Sequence, residues 1–217
     1  MQIKNTRAII YLQASMYLAG IIGLSFSSTQ AFFQFLTPFH LLSSFAFLIL
    51  SQEKRNASFW TFVALAVSVG YFIEVLGVKT QMIFGSYQYQ TTLGFKILDV
   101  PPMIGINWFL MVFCAGTLIE QIFKQNKSIL LKTICGALLL TIFDYIAEPV
   151  AIDQNMWTWK FGTPPLQNYV AWFIVAFALL FLFFKLKFTK NNHLGITLFF
   201  FQILFFVVLR FLIYLQG

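Results

Sequence analysis

Carboxylic acids are rare in this chain, and most of them lie in or beside hydrophobic segments. The chain has 217 residues and only seven Asp and Glu residues. Glu74, Asp144 and Glu148 fall within or at the ends of hydrophobic stretches, and Asp99 and Asp153 lie just beside them. An acid near the membrane centre costs about 2.5–3.5 kcal/mol on insertion scales, so acids in such segments indicate function. These carboxyl groups are therefore the first candidates for chemistry.

Asp144 and Glu148 are four residues apart, so they lie on one face of a helix. Two carboxyl groups this close in a low dielectric do not both ionise easily, which would place a proton donor beside a carboxylate. General acid and base catalysis uses this arrangement. The structural alternative is a pair that caps a helix or hydrogen-bonds a neighbouring helix. Pro149 follows Glu148 and disfavours helical geometry there, so we predict that the helix ends or kinks at the acid.

The other acids have structural alternatives as well. Glu74 is a catalytic candidate, or else the partner of Lys79 or Arg210 in a structural ion pair. Asp99 and Asp153 either contact substrate or cap loops. The catalytic set predicted from the sequence is Asp144, Glu148 and Glu74.

Uncharged polar and aromatic residues accompany the acids. Asn107 could orient a water molecule or an acid, or bond a neighbouring helix. His40 is either a packing residue or part of the site. The aromatic residues at the depth of the acids form an interfacial belt or line a cavity whose π faces attract cations. These aromatic residues are Tyr87, Tyr89, Trp108, Trp157, Trp159, Tyr169 and Trp172. The predicted substrate-binding set is Asn107, Trp108, Tyr87, Tyr89, Trp157, Trp159, Asn168, Trp172, Asp99, Asp153 and His40.

Composition predicts an all-α, polytopic membrane protein in a single domain. Hydrophobic residues make up 59% of the chain and charged residues 10%, with a mean hydropathy of +0.81. A soluble domain carries about 25% charged residues. The hydrophobic runs are continuous and about 20 residues long, which favours helices over a β-barrel. The seven predicted spans are 8–26, 31–50, 57–78, 101–123, 129–150, 168–185 and 194–214. Ser27 to Gln30 is predicted to be a tight turn, and 79–100 and 151–167 are the two long loops.

The basic residues predict the orientation of these spans. The net charge of +7 does not indicate nucleic-acid binding, because the cations sit at the ends of hydrophobic runs. With the N-terminus in the cytoplasm, the outer loops hold Lys79, Lys96 and Lys160. The inner segments hold Lys4, Arg7, Lys54, Arg55, Lys124, Lys127, Lys132, Lys185, Lys187 and Lys190. This bias predicts a cytoplasmic N-terminus, an external C-terminus and a location in the cell membrane. It also places the acids at one depth, near the outer ends of their spans.

Several kinds of chemistry lack the residues they require. Two histidines do not suffice for a multi-histidine iron site or a bis-histidine haem. No Gly-rich dinucleotide motif and no P-loop are present. We therefore expect acid–base chemistry on a lipid-soluble substrate, with neither metal nor cofactor.

Two stretches of the sequence contain ordered, spaced motifs. One stretch contains Glu74, Gly77, Lys79-Thr80, Phe84-Gly85, Tyr87, Tyr89, Leu93-Gly94, Lys96, Val100-Pro101 and Asn107-Trp108. The other contains Asp144, Glu148-Pro149, Ala151, Trp157, Trp159, Gly162, Pro165, Asn168 and Trp172. Together they resemble the integral-membrane carotenoid biosynthesis family, of the bisanhydrobacterioruberin-hydratase type, over roughly residues 60–175. Gln81 departs from it, since Gly is expected after Lys79-Thr80.

The resemblance implies a carotenoid 1,2-hydratase. Such an enzyme protonates the terminal double bond of an acyclic carotenoid end at C2, and water then captures the tertiary cation at C1. The implied partners are a carotenoid, membrane lipid and other enzymes of carotenoid synthesis. A membrane lycopene cyclase would use the same acids, but an internal double bond would capture the cation. A proton-coupled transporter and a pigment-binding subunit without catalysis are the remaining alternatives.

Overall fold

A computed structural model of the chain describes residues 6–216, and these residues form seven helices and two short strands. All seven helices are long and apolar enough to cross a membrane. The helices are α1 Thr6–Ser25, α2 Ser27–Ser51, α3 Ala57–Thr80, α4 Met103–Ile122, α5 Ile129–Asp153, α6 Leu166–Lys185 and α7 His193–Gln216. The predicted transmembrane helical bundle is therefore confirmed. Lys4, which contributed to the predicted orientation, lies outside the described residues, and the orientation itself stays a prediction.

α1 and α2 are joined more tightly than the sequence indicated. Ser27 to Gln30 were predicted to form a turn, but they form the first turn of α2. The chain reverses at Phe26 alone, which adopts an extended conformation and whose carbonyl accepts from the amides of Thr29 and Gln30. The Thr29 hydroxyl also donates to the carbonyl of Gly23, at 2.8 Å. These bonds satisfy backbone groups that a helix terminus otherwise leaves without partners.

The proline after Glu148 predicted that α5 ends or kinks there; the helix does not end there, and a kink stays a prediction. The helix continues to Asp153 with Pro149 inside it. A proline has no N–H group, so the carbonyl four residues earlier, at Tyr145, loses its helical partner. The guanidinium of Arg210 on α7 donates to this carbonyl at 2.8 Å. A side chain from another helix thus satisfies the carbonyl that the proline leaves free.

The two long loops contain short strands that pair with each other. β1 is Tyr87–Tyr89 and β2 is Trp157–Trp159, and they run antiparallel. In their register, Tyr87 faces Trp159 and Tyr89 faces Trp157. We call this two-stranded unit the ribbon. It joins the loop after α3 to the loop after α5.

α4 lies at the centre of the bundle. It packs against α2, α3, α5, α6 and α7. In its most hydrophobic segment 72% of the residues are buried, compared with 11% in α2. α2 therefore lies at the periphery of the bundle, whereas α4 forms the core against which five other helices pack.

Candidate active site

The three acids predicted to be catalytic meet in one cavity. Glu74 on α3 and Asp144 and Glu148 on α5 are buried, and all three line a cavity of about 140 Å³. Every helix contributes to its wall, and so do both strands of the ribbon. Most of the other lining side chains are apolar or aromatic. The cavity therefore exposes carboxyl groups to an otherwise apolar interior.

Glu74 accepts three hydrogen bonds from aromatic side chains. The hydroxyls of Tyr87 and Tyr89 donate to its Oε2, at 2.5 and 2.9 Å. The indole N–H of Trp108 donates to its Oε1, at 2.9 Å. The alternative ion pairs for Glu74 do not form, since Lys79 contacts Asp99 and Arg210 bonds the backbone of α5. Both oxygens of Glu74 are thus fixed in position.

Glu148 is held by the other strand of the ribbon. The indole N–H groups of Trp157 and Trp159 donate to its Oε2, at 3.1 and 2.9 Å. Residues two apart on a strand point to the same face, so one face of β2 supplies both donors. No described residue donates a hydrogen bond to Oε1 of Glu148, which leaves this oxygen free to accept or release a proton.

Asp144 has a single hydrogen-bond partner among the described side chains. The amide of Asn168 on α6 donates to its Oδ2 at 2.8 Å, and Asn168 is itself buried. Asp144 therefore resembles Glu148 in having one oxygen bonded and the other available. Trp172, one turn after Asn168, stacks on Trp108 with ring centroids 4.3 Å apart. This stack extends the aromatic wall between α4 and α6.

Two glycines on the face of α3 that carries Glu74 make these contacts possible. A Cβ atom on Gly70 would lie 2.4 Å from Cβ of Trp108. A Cβ atom on Gly77 would lie 2.7 Å from the ring of Phe84 and 2.9 Å from the hydroxyl of Tyr87. Separations this short are not tolerated in packed interiors. The glycines thus let Trp108 and Tyr87 approach Glu74 closely.

The tyrosine hydroxyls of the ribbon remain protonated donors at neutral pH. Burial, followed by the neighbouring Glu74 carboxylate, raises the pKa of Tyr87 and of Tyr89 well above that of a free tyrosine. Each hydroxyl therefore keeps its proton and directs it towards Glu74.

Eight of the eleven predicted substrate-binding residues line the cavity, and three do not. Asn107 and His40 contribute to the wall, together with Tyr87, Tyr89, Trp157, Trp159, Asn168 and Trp172. Trp108 does not line the cavity, but its indole N–H donates a hydrogen bond to Glu74, which does. Asp99 and Asp153 are exposed and lie outside the lining.

The two acids outside the cavity have local partners. Lys79 donates to Asp99, and this hydrogen bond and the charge of Lys79 lower the pKa of Asp99. Gln154 donates to Asp153 at 2.7 Å. Both contacts are with side chains, and no backbone amide of the described residues donates to either carboxylate, so neither residue forms the loop cap that was the structural alternative. Tyr169 also lies away from the cavity lining and packs against Tyr145, with ring centroids 5.8 Å apart.

The sequence did not single out two polar side chains that line the cavity. These are Tyr17 on α1 and Gln202 on α7, both buried. Gln202 lies in the middle of a long apolar run, and that contrast was the available signal. Within residues 6–216, no three His, Cys, Asp or Glu side chains are grouped so that they could hold a metal ion.

A second, polar cavity of about 280 Å³ lies beside the ribbon. Its wall includes Gln81, Ser86, Gln88, Thr158 and Lys160. Tyr87 and Trp159 line both cavities. These two side chains therefore separate a polar, water-accessible space from the buried acids.

The fold and the site together define an integral membrane protein with a carboxyl-lined cavity. The profile of the carotenoid biosynthesis protein family matches residues 35–216, and the chain belongs to this family. The chain is similar to bisanhydrobacterioruberin hydratase of Haloarcula japonica, with 29% identity over 112 residues. That match covers 48% of this chain and 37% of the relative, so it spans little more than a third of the relative's length. No solved structure matches the chain.

Proposed function

We propose that this protein is a carotenoid 1,2-hydratase, which adds water across the terminal double bond of an acyclic carotenoid end without a cofactor. The observation that carries the proposal is the pairing of Asp144 and Glu148. They lie one turn apart and both line the cavity. Each has one carboxyl oxygen to which no described residue donates a hydrogen bond. Family membership and the similarity to a hydratase support a carotenoid as the substrate.

The pair supplies both proton transfers that hydration needs. One carboxyl group donates its proton to C2 of the double bond, which leaves a tertiary carbocation at C1. The oxygen of a water molecule bonds to C1, and the proton lost from that water returns to the carboxylate pair. The net change is the addition of one water molecule. Proton transfers of this kind typically contribute about 10²–10⁴-fold to a rate.

Glu74 and the aromatic wall act on the cation rather than on the proton. Three donors hold Glu74, so its carboxyl group is a fixed electrostatic element near the reacting carbon. The indole of Trp172, which Trp108 supports from behind by stacking, presents a π face to the cavity, and such faces attract positive charge. Because these groups are already in place, they stabilise the cation without rearrangement.

The polar cavity beside the ribbon supports hydration over cyclisation. A hydratase consumes a water molecule in each turnover, so its site needs a supply of water. Tyr87 and Trp159 are the shared wall between the polar cavity and the acids. A movement of either side chain would admit water next to Glu74 and Glu148, whereas a cyclase needs no such supply.

Expression in a bacterial host that accumulates lycopene tests the function. The expected product is heavier by one water molecule and keeps the absorption spectrum of the conjugated chain. A product of unchanged mass with a spectrum shifted to the blue would identify a cyclase instead. Recovery of unmodified carotenoid from several acyclic substrates would contradict both enzymatic functions. Product formed by the detergent-purified protein would exclude a transporter, because an enzyme needs no gradient across a membrane.

We also propose that the protein lies in the cell membrane with its N-terminus in the cytoplasm. The distribution of lysine and arginine supports this orientation. Reporter fusions after Arg55 and after Lys160 test it, since the first should report a cytoplasmic position and the second an external one. The reverse result would contradict the orientation and would leave the proposed reaction unaffected.

A further inference from the structure

Two side chains that line the cavity, from helices that carry none of the three acids, each have a buried polar atom without a partner. These atoms are Nε2 of His40 on α2 and Oε1 of Gln202 on α7. Neither atom has a hydrogen-bond partner in the part of the chain that the structure describes. Buried polar atoms are nearly always paired, and the exceptions in native proteins call for an explanation such as a ligand.

The two side chains are well ordered by their surroundings. Gln202 is only 5% exposed. The imidazole of His40 meets the ring of Tyr17 edge to face, with centroids 4.5 Å apart. Tyr17 in turn contacts Phe201 and Phe205, which flank Gln202 along α7. Both side chains therefore line the same cavity within a wall that the ring of Tyr17 packs together.

The chemistry of the two atoms identifies the group they would bind. An amide oxygen such as Oε1 only accepts hydrogen bonds, whereas a neutral imidazole nitrogen accepts or donates one according to its tautomer. A hydroxyl group satisfies both atoms, because it donates one hydrogen bond and accepts another. A ketone oxygen could only accept, and a hydrocarbon chain could do neither.

We infer that His40 and Gln202 form a hydroxyl-binding subsite for the reaction, separate from the acids that move the proton. This inference rests on the proposed hydratase activity and deepens it. The hydroxyl group has two possible sources in this cavity, the attacking water and a hydroxyl already present on the substrate chain. If the subsite binds the attacking water, it acts on capture of the cation. If it binds a substrate hydroxyl, it acts on the choice of substrate. In both cases Asp144 and Glu148 carry out the protonation.

Isotope exchange separates the subsite from the acid pair. In D₂O the exchanged carboxyl groups deliver deuterium to C2. When no water captures the cation, loss of a proton from C2 regenerates an alkene that carries deuterium. Hydration and deuterium in the recovered carotenoid therefore report water capture and protonation as two separate steps.

The experiment compares Gln202→Leu and His40→Phe with the wild type, each as purified full-length protein in detergent. Leu keeps most of the volume of Gln, and Phe keeps the edge contact with Tyr17. The substrates are lycopene and an acyclic carotenoid with the same reacting end and a hydroxyl on its chain. Gln121→Leu is the control, because it makes the same change at an exposed position outside the cavity.

The outcomes are distinct. If the subsite holds the attacking water, both variants lose about tenfold or more in hydration of both substrates, while deuterium exchange persists. If it holds a substrate hydroxyl, the wild type prefers the hydroxylated carotenoid, and both variants lose that preference. If both variants match Gln121→Leu in rate, preference and exchange, the inference is overturned.

Failure of the proposed function gives a different result. In that case neither hydration nor deuterium exchange occurs, even in the wild type. Quenching of tryptophan fluorescence by the two carotenoids then tests the subsite on its own. Weaker binding of the hydroxylated carotenoid in both variants would support a hydroxyl subsite, and unchanged binding would overturn it.

Discussion

Tyr87 and Trp159 are cross-strand partners in the ribbon, and each donates a hydrogen bond to a different buried acid. Their ring centroids are 5.1 Å apart, with Tyr87 bonded to Glu74 and Trp159 to Glu148. Tyr89 and Trp157, two pairs further along the ribbon, repeat the arrangement: Tyr89 donates to Glu74 and Trp157 to Glu148. The tyrosine strand therefore positions the acid of α3, and the tryptophan strand positions the acid of α5. One small ribbon fixes carboxyl groups from two helices relative to each other.

Replacing each acid by its amide tests the proton-transfer roles. We expect Asp144→Asn and Glu148→Gln to lower turnover by about 10²–10⁴-fold, because an amide cannot exchange a proton with substrate. Glu74→Gln should also lower turnover sharply, through loss of charge beside the cation. Turnover is measured by product mass from detergent-purified protein. Glu53→Gln, at an exposed position, is the matched control. Near wild-type activity in all three cavity variants would show that the acid assignment is wrong.

Trp159→Phe tests whether the ribbon positions Glu148. The variant keeps an aromatic ring but removes the N–H donor, and a hydrogen bond to a charged group contributes about 1.5–3 kcal/mol. We expect turnover to fall by about tenfold or more, with a larger loss when Trp157→Phe is added. Trp60→Phe, on the exposed surface of α3, should leave turnover unchanged. Equal turnover in Trp159→Phe and Trp60→Phe would contradict a positioning role for Trp159.

Gly70→Ala should destabilise the protein by about 1–3 kcal/mol, because the new methyl group overlaps Trp108. A lower midpoint of thermal unfolding in detergent is the expected measurement. Gly20→Ala is a suitable comparison, since its only close neighbour is the ring edge of Phe205, at 3.2 Å. Similar midpoints for the two variants would show that the contact between α3 and Trp108 adjusts freely.

Arg210 and Pro149 form a pair that a double-mutant cycle can resolve. Arg210→Leu removes the donor to the Tyr145 carbonyl and should cost about 1–3 kcal/mol, because lipid around a membrane-spanning helix offers no replacement donor. Pro149→Ala restores an N–H group that can donate to the same carbonyl. We therefore expect Arg210→Leu to cost less in the Pro149→Ala background. Additive losses in the thermal midpoint would mean that the arginine stabilises the bundle in another way.

Gln81→Gly should stabilise the protein by about 1 kcal/mol. Gln81 ends α3 in a left-handed conformation, with φ of 58°, which a side chain disfavours and glycine adopts freely. The same change at Gln88, an exposed and extended position on β1, should lower stability instead. Thermal unfolding of the two variants compares these effects, and a decrease for both would contradict the conformational explanation.

The helices could be predicted from the sequence because each is a continuous apolar run long enough to span a membrane. The catalytic candidates could be predicted for the same reason, since an acid stands out in such a run. The ribbon could not, because a three-residue strand has too short a pattern to be recognised. In retrospect, Tyr-Gln-Tyr at 87–89 and Trp-Thr-Trp at 157–159 have the alternation of strands whose aromatic residues share one face.

The continuation of α5 past Pro149 could not be predicted from the neighbouring residues in the sequence. It depends on Arg210, which is 65 residues away from Tyr145 in the sequence. The same limit explains why Gln202 was missed, since it lines the cavity only because α7 packs against α1, α4 and α5. In both cases the deciding contact joins α7 to earlier helices, and no local spacing reports it.

The ribbon also determines when the site can form during synthesis of the chain. Glu74, Tyr87 and Tyr89 lie close together in sequence, so the first acid can find its tyrosines soon after α3 has emerged from the ribosome. Glu148 acquires its two donors only after Trp157 and Trp159 have been translated, and Asp144 waits for Asn168. A nascent chain halted within α5 would therefore hold one acid satisfied and two without their donors. The three carboxyl groups thus acquire their full set of donors late in translation, only after the start of α6 has been made.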